Sequence, residues 1–152
     1  MKLVRIAVLA LLFVGLAGCA KPQTQPDTIV EEMMHTYVRG FNAHDTQELS
    51  TYFDLTDSDA QQTLAAAEKA IQTAEPGVTM QIDQIIIQDV QVHGQEAVVK
   101  YQLQLKSFRD GTEVSSDIVS QDLGLKLINE TWKISGGDLP TIQTGNKARI
   151  RW

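Results

Sequence analysis

Apolar residues recur every three or four positions in the first half of the sequence, which is the period of an amphipathic helix. Thr28 and Glu31 have the spacing of a capping box, which satisfies free backbone amides at a helix start. The pattern therefore predicts a helix that begins near Thr28 and buries one apolar stripe. The stripe consists of Val30, Met33, Met34, Tyr37, Val38 and Phe41.

Two further helices are predicted before residue 76. Asp45 and Glu48 repeat the cap spacing and predict a short second helix. A third helix is predicted from residue 57 or 58 to residue 75, where a Pro-Gly dipeptide ends it. The residues expected on the buried sides are Leu49, Tyr52 and Phe53 in the second helix, and Leu64, Ala67, Ile71 and Ala74 in the third.

After Gly77 the period changes to two, which is typical of half-buried strands. Four strands are predicted, and Trp132 and Ile134 are expected to point inward from the fourth. Helices followed by antiparallel strands indicate an α+β fold, with N-terminal helices packed against a curved four-stranded antiparallel sheet. The predicted turns are His93-Gly94, Asp110-Gly111 and Asn129-Glu130.

Two of these strands change phase along their length. The first is expected to point its even positions inward, which places Gln84 and Gln88 on an apolar face, and to bend near its middle. The third is expected to begin with Val114 and Ile118 inward and to shift through a bulge before Leu123.

The first eighteen residues have the composition of a secretory signal peptide. Two basic residues precede an apolar run over residues 6–16, which is shorter than the about 20 residues that span a bilayer. The run leads into Leu16-Ala17-Gly18-Cys19, which resembles the lipobox of bacterial lipoproteins. The resemblance implies that the chain is cut before Cys19, that Cys19 is acylated, and that Ala20 directs the protein to the periplasmic face of a Gram-negative outer membrane. The alternative is that Cys19 is a small apolar residue of a discarded signal.

The predicted organisation is a signal over residues 1–18, a lipidated cysteine with a tether over 19–27, a cone-shaped domain over 28–137 and a basic tail over 138–152. Residues 1–18 hold two of the 13 basic residues and none of the 19 acidic ones, so the mature chain has a net charge of −8. Such a chain has no electrostatic reason to bind nucleic acid, and its attachment to a membrane must come from the lipid.

Two stretches resemble a known superfamily, the nuclear transport factor two-like superfamily, which is also called ketosteroid isomerase-like or cystatin-like. They are VRGFNAHDTQELSTYF near the start and LGLKLINETWKISGG near the end. The resemblance covers about residues 28–137 and implies a curved sheet wrapped over a long helix. Neither stretch is specific to a function.

The sequence predicts no catalytic residue, metal site or cofactor. Isomerases of that superfamily place a general-base carboxylate inside the cone, whereas Asp83 and Asp89 are expected on the opposite strand face. The histidines are scattered, and Asp54, Asp57 and Asp59 lack the glycine and distal glutamate of a calcium loop.

Four polar residues on the predicted inner face are candidates for ligand binding: Tyr37, Gln84, Gln88 and Tyr101. Neutral polar groups on an apolar face suit a pocket that orients a small apolar or amphipathic ligand. The alternative is that these groups bond one another or the backbone.

The tail is basic on an otherwise acidic chain. Lys147, Arg149 and Arg151 give it three positive charges, and Trp152 is its largest apolar residue. It is either a frayed end or an arm that folds back on the body or binds a partner through Trp152.

The favoured function is therefore a non-catalytic, lipid-anchored envelope protein whose cone binds a small ligand or a partner protein. One alternative is an enzyme of the isomerase or dehydratase type that uses the same cavity. Another is a structural subunit of an envelope assembly that contacts its partners through the outer face of the sheet.

Overall fold

The computed structural model describes residues 24–140; the predicted signal, Cys19, the first part of the tether and the chain beyond Pro140 lie outside the described residues. Two helices precede four strands, which form one antiparallel sheet in the order β1-β2-β3-β4. The predicted α+β class, with helices packed against a curved four-stranded sheet, is confirmed. The elements are α1 (Pro26–Ala43), α2 (Ser58–Gln72), β1 (Val78–His93), β2 (Glu96–Arg109), β3 (Thr112–Ile128) and β4 (Thr131–Gly137).

Helix α1 buries all six residues of its predicted apolar stripe. It begins at Pro26, within the segment that the sequence assigns to the tether, and Gln25 is its N-cap without a side-chain hydrogen bond. The prediction of a capping box is therefore wrong, because Thr28 and Glu31 lie inside the helix. The fixed φ of Pro26 starts the helix instead, since a proline at the first position lacks only an amide that would be unpaired anyway.

Backbone and side-chain contacts fix the end of α1 against the sheet. His44 adopts a left-handed conformation with φ 53°, and the N–H of Asp45 donates to the carbonyl oxygen of Gly40 at 2.9 Å. A Cβ on Gly40 would lie 2.4 Å from the carbonyl oxygen of Asp45, so this position requires glycine. Asn42 Nδ2 then donates to the carbonyl oxygen of Met80 at 2.8 Å, and the N–H of Met80 donates to Asn42 Oδ1 at 2.7 Å.

The predicted short second helix is a single turn of 3₁₀ helix, Leu49–Tyr52. Leu49 and Phe53 are buried as expected, while Tyr52 is half-buried. Phe53 forms a parallel bridge with Ile134, so this segment extends the sheet beyond β4.

Helix α2 begins where the sequence predicts and ends three residues earlier, at Gln72. Asp57 caps it by accepting a hydrogen bond from the N–H of Asp59 at 2.9 Å. Lys126 Nζ lies 2.5 Å from Asp57 Oδ2, and this hydrogen bond holds the pKa of the Asp57 carboxyl below its usual range. Within residues 24–140 neither helix is long and apolar enough to cross a membrane.

Two bulges in β1, after Ile82 and after Ile87, reverse the predicted phase of its central part. Ile85 is opposite Leu103 and therefore lies on the buried face, whereas Gln84 is opposite Gln104 and lies on the outer face. The second bulge restores the even positions, because Val90 is opposite the buried Val99. The bend predicted near the middle of β1 therefore corresponds to two β-bulges.

Strand β3 has its buried side on odd positions from Ser115 to Leu127. Its bulge lies near Val114, opposite the step from Ser107 to Phe108 of β2, rather than before Leu123. Val114 and Ile118 are consequently 56% and 63% exposed, and their predicted inward orientation is wrong. Trp132 and Ile134 of β4 are buried, as predicted.

Candidate functional site

A cleft of about 680 Å³ lies between α2, β3 and the segment that follows β4. One wall is the face of α2 that carries Ala66, Ala67 and Ala70. These three alanines leave room that larger side chains would fill. The small side chains of α2 therefore leave the cleft open on this side.

The opposite wall is held in place by Thr63 and Gly137. Thr63 Oγ1 donates to the carbonyl oxygen of Gly137 at 2.7 Å and is also 2.9 Å from the carbonyl oxygen of Asp59. Gly137 has φ 118°, and a Cβ there would lie 2.6 Å from the carbonyl oxygen of Asp122. Glycine therefore lets the chain leave the sheet at this point and turn across the cleft.

One buried tyrosine lines the cleft, and a second supports a residue that lines it. Tyr37 lines it from α1 and donates its hydroxyl to the carbonyl oxygen of Pro140 at 3.3 Å. Tyr101 lies behind it on β2 and donates to Gln121 Oε1 of β3 at 3.0 Å. Both phenolic protons are therefore used within the protein.

Burial keeps both phenols neutral. It raises the pKa of Tyr37 to about 12. Burial also raises the pKa of Tyr101, and the negative charge of Asp138 raises it further. Neither tyrosine can act as a base near neutral pH, and each serves as a hydrogen-bond donor.

The mouth of the cleft is acidic. The exposed residues Asp59 and Asp138 both line it, together with the amides of Gln62 and Gln121. Among residues 24–140, none of those that line the cleft is basic. The site therefore presents carboxylates and amides above an apolar wall.

Of the four predicted ligand-binding residues, only Tyr37 lines the cleft. Tyr101 is buried and bonds to Gln121, which lines the cleft, whereas Gln84 and Gln88 are exposed and do not line it. Gln84 faces outward beside Gln104, and Gln88 sits at the second bulge of β1. Their predicted place on the inner face is therefore wrong.

Sequence reasoning missed Thr63, Gln121 and Asp138. Gln121 could have been found by following the odd phase of Leu125 and Leu123 back along β3. The sequence predicts that Asp138 belongs to the tail, whereas in the structure it and the next two residues line the cleft. Cys19 and Trp152 lie outside the described residues.

The described part of the chain contains no group of three or more histidine, aspartate or glutamate residues that could hold a metal ion. Its three histidines are all exposed and lie on separate elements: His35 in α1, His44 after it and His93 at the end of β1.

No protein-family model and no curated protein matches the sequence. Solved structures do match. An NTF2-like protein of unknown function from Shewanella oneidensis is 14% identical, with a TM-score of 0.51 over 75% of this chain and 98% of that one. A cystatin-like domain of unknown function from Nostoc punctiforme is 13% identical, with a TM-score of 0.53 over 80% of this chain and 81% of that one.

The domain has the NTF2-like fold. A candidate dehydratase of the NTF2-like family from Streptomyces avermitilis shares it at 14% identity, with a TM-score of 0.50 over 75% of this chain and 96% of that one. At these identities the likeness concerns the NTF2-like fold alone, because one fold hosts many unrelated functions.

Proposed function

We propose that this protein is a non-catalytic, lipid-anchored envelope protein whose cleft binds a small amphipathic ligand. The observation that carries the proposal is the cleft itself, which combines an alanine wall with polar groups at its mouth. Its volume of about 680 Å³ lies within the range of about 300–1,000 Å³ that is usual for small-molecule sites.

The charge of the cleft narrows the class of ligand. Asp59 and Asp138 line the mouth, and no basic residue of the described chain lines it. An anionic head group would lose its hydration there without gaining a positive partner. The ligand is therefore neutral or positively charged at one end and apolar at the other.

A non-catalytic role follows from the hydrogen bonds of the two tyrosines. Tyr37 and Tyr101 donate to Pro140 and Gln121, so neither phenolic proton is directed at a bound molecule. Stabilisation of a charge that develops during a reaction requires a donor aimed at the reacting atom. Neither phenol is such a donor, and the proposal assigns the amides of Gln62 and Gln121 to recognition.

An enzyme of the isomerase or dehydratase type is the second candidate. One observation favours it: the negative charge of Asp138, which lines the cleft, raises the pKa of Tyr101, whose hydrogen-bond partner Gln121 lines the same cleft. The candidate dehydratase from Streptomyces avermitilis has the same fold. In this alternative Asp138 acts as the base, and the hydroxyl of Tyr101 must donate its hydrogen bond to the substrate instead of to Gln121.

The location is proposed from the lipobox. An acylated Cys19 would be followed by six residues before α1 begins at Pro26. Six extended residues reach about 20 Å, so the domain would stay close to the membrane. Several acyl chains give a durable anchor, whereas a single chain binds only marginally.

The ligand class can be tested with three eight-carbon amphiphiles that differ only in the head group: octanol, octylammonium and octanoate. Octanol and octylammonium should raise the thermal midpoint of the chain from Ala20 to Trp152, and octanoate should not. A rise with octanoate alone would contradict the proposed charge preference. Turnover of a carbonyl or hydroxy substrate that is lost in Asp138→Asn would favour the enzyme instead.

A further inference from the structure

Among the described residues, 24–140, strand β3 has a long free edge beyond the end of β4. Strand β4 pairs with β3 only from Leu123 to Ile128, because Gly137 turns the chain out of the sheet opposite Leu123. Within residues 24–140, no strand pairs with that side of residues 112–121. About half of the backbone N–H and C=O groups of this segment therefore point away from β2 without a strand partner.

The free edge also carries exposed apolar side chains and negative charge. Val114 and Ile118 are 56% and 63% exposed, and Glu113 lies on the same outer face. Asp117, which is opposite Leu105, lies on the inner face of the same edge. The other free edge, along β1, is interrupted by two bulges, which protect an edge from pairing. The edge of β3 has one bulge, near Val114, and none between residues 115 and 121.

The sequence after Pro140 is complementary to this edge. Residues 147–152 read KARIRW, in which lysine and arginine alternate with Ala148, Ile150 and Trp152. Strict alternation is the pattern of a strand with one apolar face. The twelve residues after Pro140 include three basic residues and no acidic one, whereas the edge is acidic.

The segment after Pro140 also begins close to this free edge. Pro140 is buried at the cleft and accepts the hydroxyl of Tyr37, and Gln121, the first residue of the free edge, lines the same cleft. Twelve extended residues reach about 40 Å, and the free edge of ten residues is about 33 Å long.

We propose that the C-terminal segment, within residues 141–152, adds a fifth strand to the sheet by pairing with the free edge of β3 over residues 112–121. The added strand satisfies the open backbone groups, places its apolar residues on the outer face beside Val114 and Ile118, and thereby places its basic residues on the inner face beside Asp117. This inference does not depend on the ligand proposed above.

Amide hydrogen exchange tests the inference in the chain from Ala20 to Trp152, against the same chain ended at Pro140. Removal of the segment should speed exchange at least tenfold at about half of the amides of residues 112–121. The free edge of β1, over residues 84–92, is the internal control and should not change. Ala148→Pro and Arg149→Pro, tested separately in the longer chain, should include one that reproduces the loss, because one of two consecutive amides points to β3 and proline cannot donate to a ladder.

The same experiment identifies the competing outcomes. Unchanged exchange over 112–121 would overturn the inference and leave the segment as a frayed end. A change confined to residues 62–70 of α2 would overturn it as well and would place the segment over the cleft. A concentration-dependent change at 112–121 in the shorter chain would show that the edge pairs with a second copy instead.

Discussion

Tyr101 on β2 donates its phenolic hydrogen bond to Gln121 on β3, at 3.0 Å, directly across the ladder that joins the two strands. This pair lies between the buried core and the cleft, because Tyr101 is fully buried whereas Gln121 lines the cleft. The bond uses the phenolic proton and fixes the amide of Gln121 for recognition.

Loss of this hydrogen bond should cost stability without unfolding the domain. Tyr101→Phe keeps the buried ring and removes only the hydroxyl, so the free energy of unfolding should fall by about 1 kcal/mol. Urea unfolding followed by tryptophan fluorescence measures it. A loss above about 3 kcal/mol would show that the hydroxyl does more than join two strands.

The buried phenols predict a loss of stability at alkaline pH. A group whose pKa is raised on folding stabilises the protein below its unfolded value, and this contribution is lost as the pH rises through the folded value. The pKa of Tyr37 rises from 10.0 to about 12, so the free energy of unfolding should fall between about pH 10 and 12. Tyr37→Phe should reduce the slope over that interval, and an unchanged slope would contradict the role of Tyr37.

Trp132 and Ile118 test which face of the sheet is buried. Trp132 is 5% exposed, so Trp132→Ala should lower the free energy of unfolding by about 3–5 kcal/mol. Ile118 is 63% exposed, and Ile118→Ala should change it by less than about 0.5 kcal/mol in the chain ended at Pro140. Urea unfolding followed by circular dichroism suits both variants, and similar costs would mean that the faces of the sheet are misassigned.

Gly137 should tolerate substitution less well than Gly94, although both have positive φ. A Cβ on Gly137 would lie 2.6 Å from a carbonyl oxygen, whereas nothing lies within 4 Å of one on Gly94. Gly94→Ala should cost about 1 kcal/mol from its backbone conformation alone. Gly137→Ala should lower the stability more in thermal unfolding and should also disturb the cleft. Equal losses for the two variants would contradict a steric clash at Gly137.

The helices could be predicted from the sequence because their signal survives small errors of position. The stripe from Val30 to Phe41 is buried throughout, even though the helix starts two residues earlier than predicted. The strands are different, since one extra residue in a bulge moves every following side chain to the other face. Gln84 and Ile118 were misplaced for this reason.

The cleft could be predicted only in part. The burial of Tyr37 follows from the helical stripe and that of Tyr101 from the cleanly alternating strand β2. Of the two, only Tyr37 lines the cleft. Asp138 follows a glycine with φ 118°, and its return to the cleft depends on the tertiary hydrogen bond between Thr63 and Gly137. No local pattern in the sequence reports such a contact.

Lipid attachment has its own test. Cys19→Ser should abolish labelling of the protein by a palmitate analogue in a Gram-negative host and release it from the outer-membrane fraction. Ala20→Ser is the matched control, because it leaves the thiol intact. Unaltered fractionation of the Cys19→Ser variant would contradict the proposed anchor.

The most direct test of the proposed binding function is a titration of octylammonium into three forms of the chain from Ala20 to Trp152: wild type, Ala70→Phe and Ala65→Phe. Ala70 lines the cleft, whereas Ala65 is exposed on the same helix and does not line it. Binding measured by calorimetry should be weakened at least tenfold by Ala70→Phe and left unchanged by Ala65→Phe. Equal binding by all three proteins would contradict the proposal that the cleft is the ligand site.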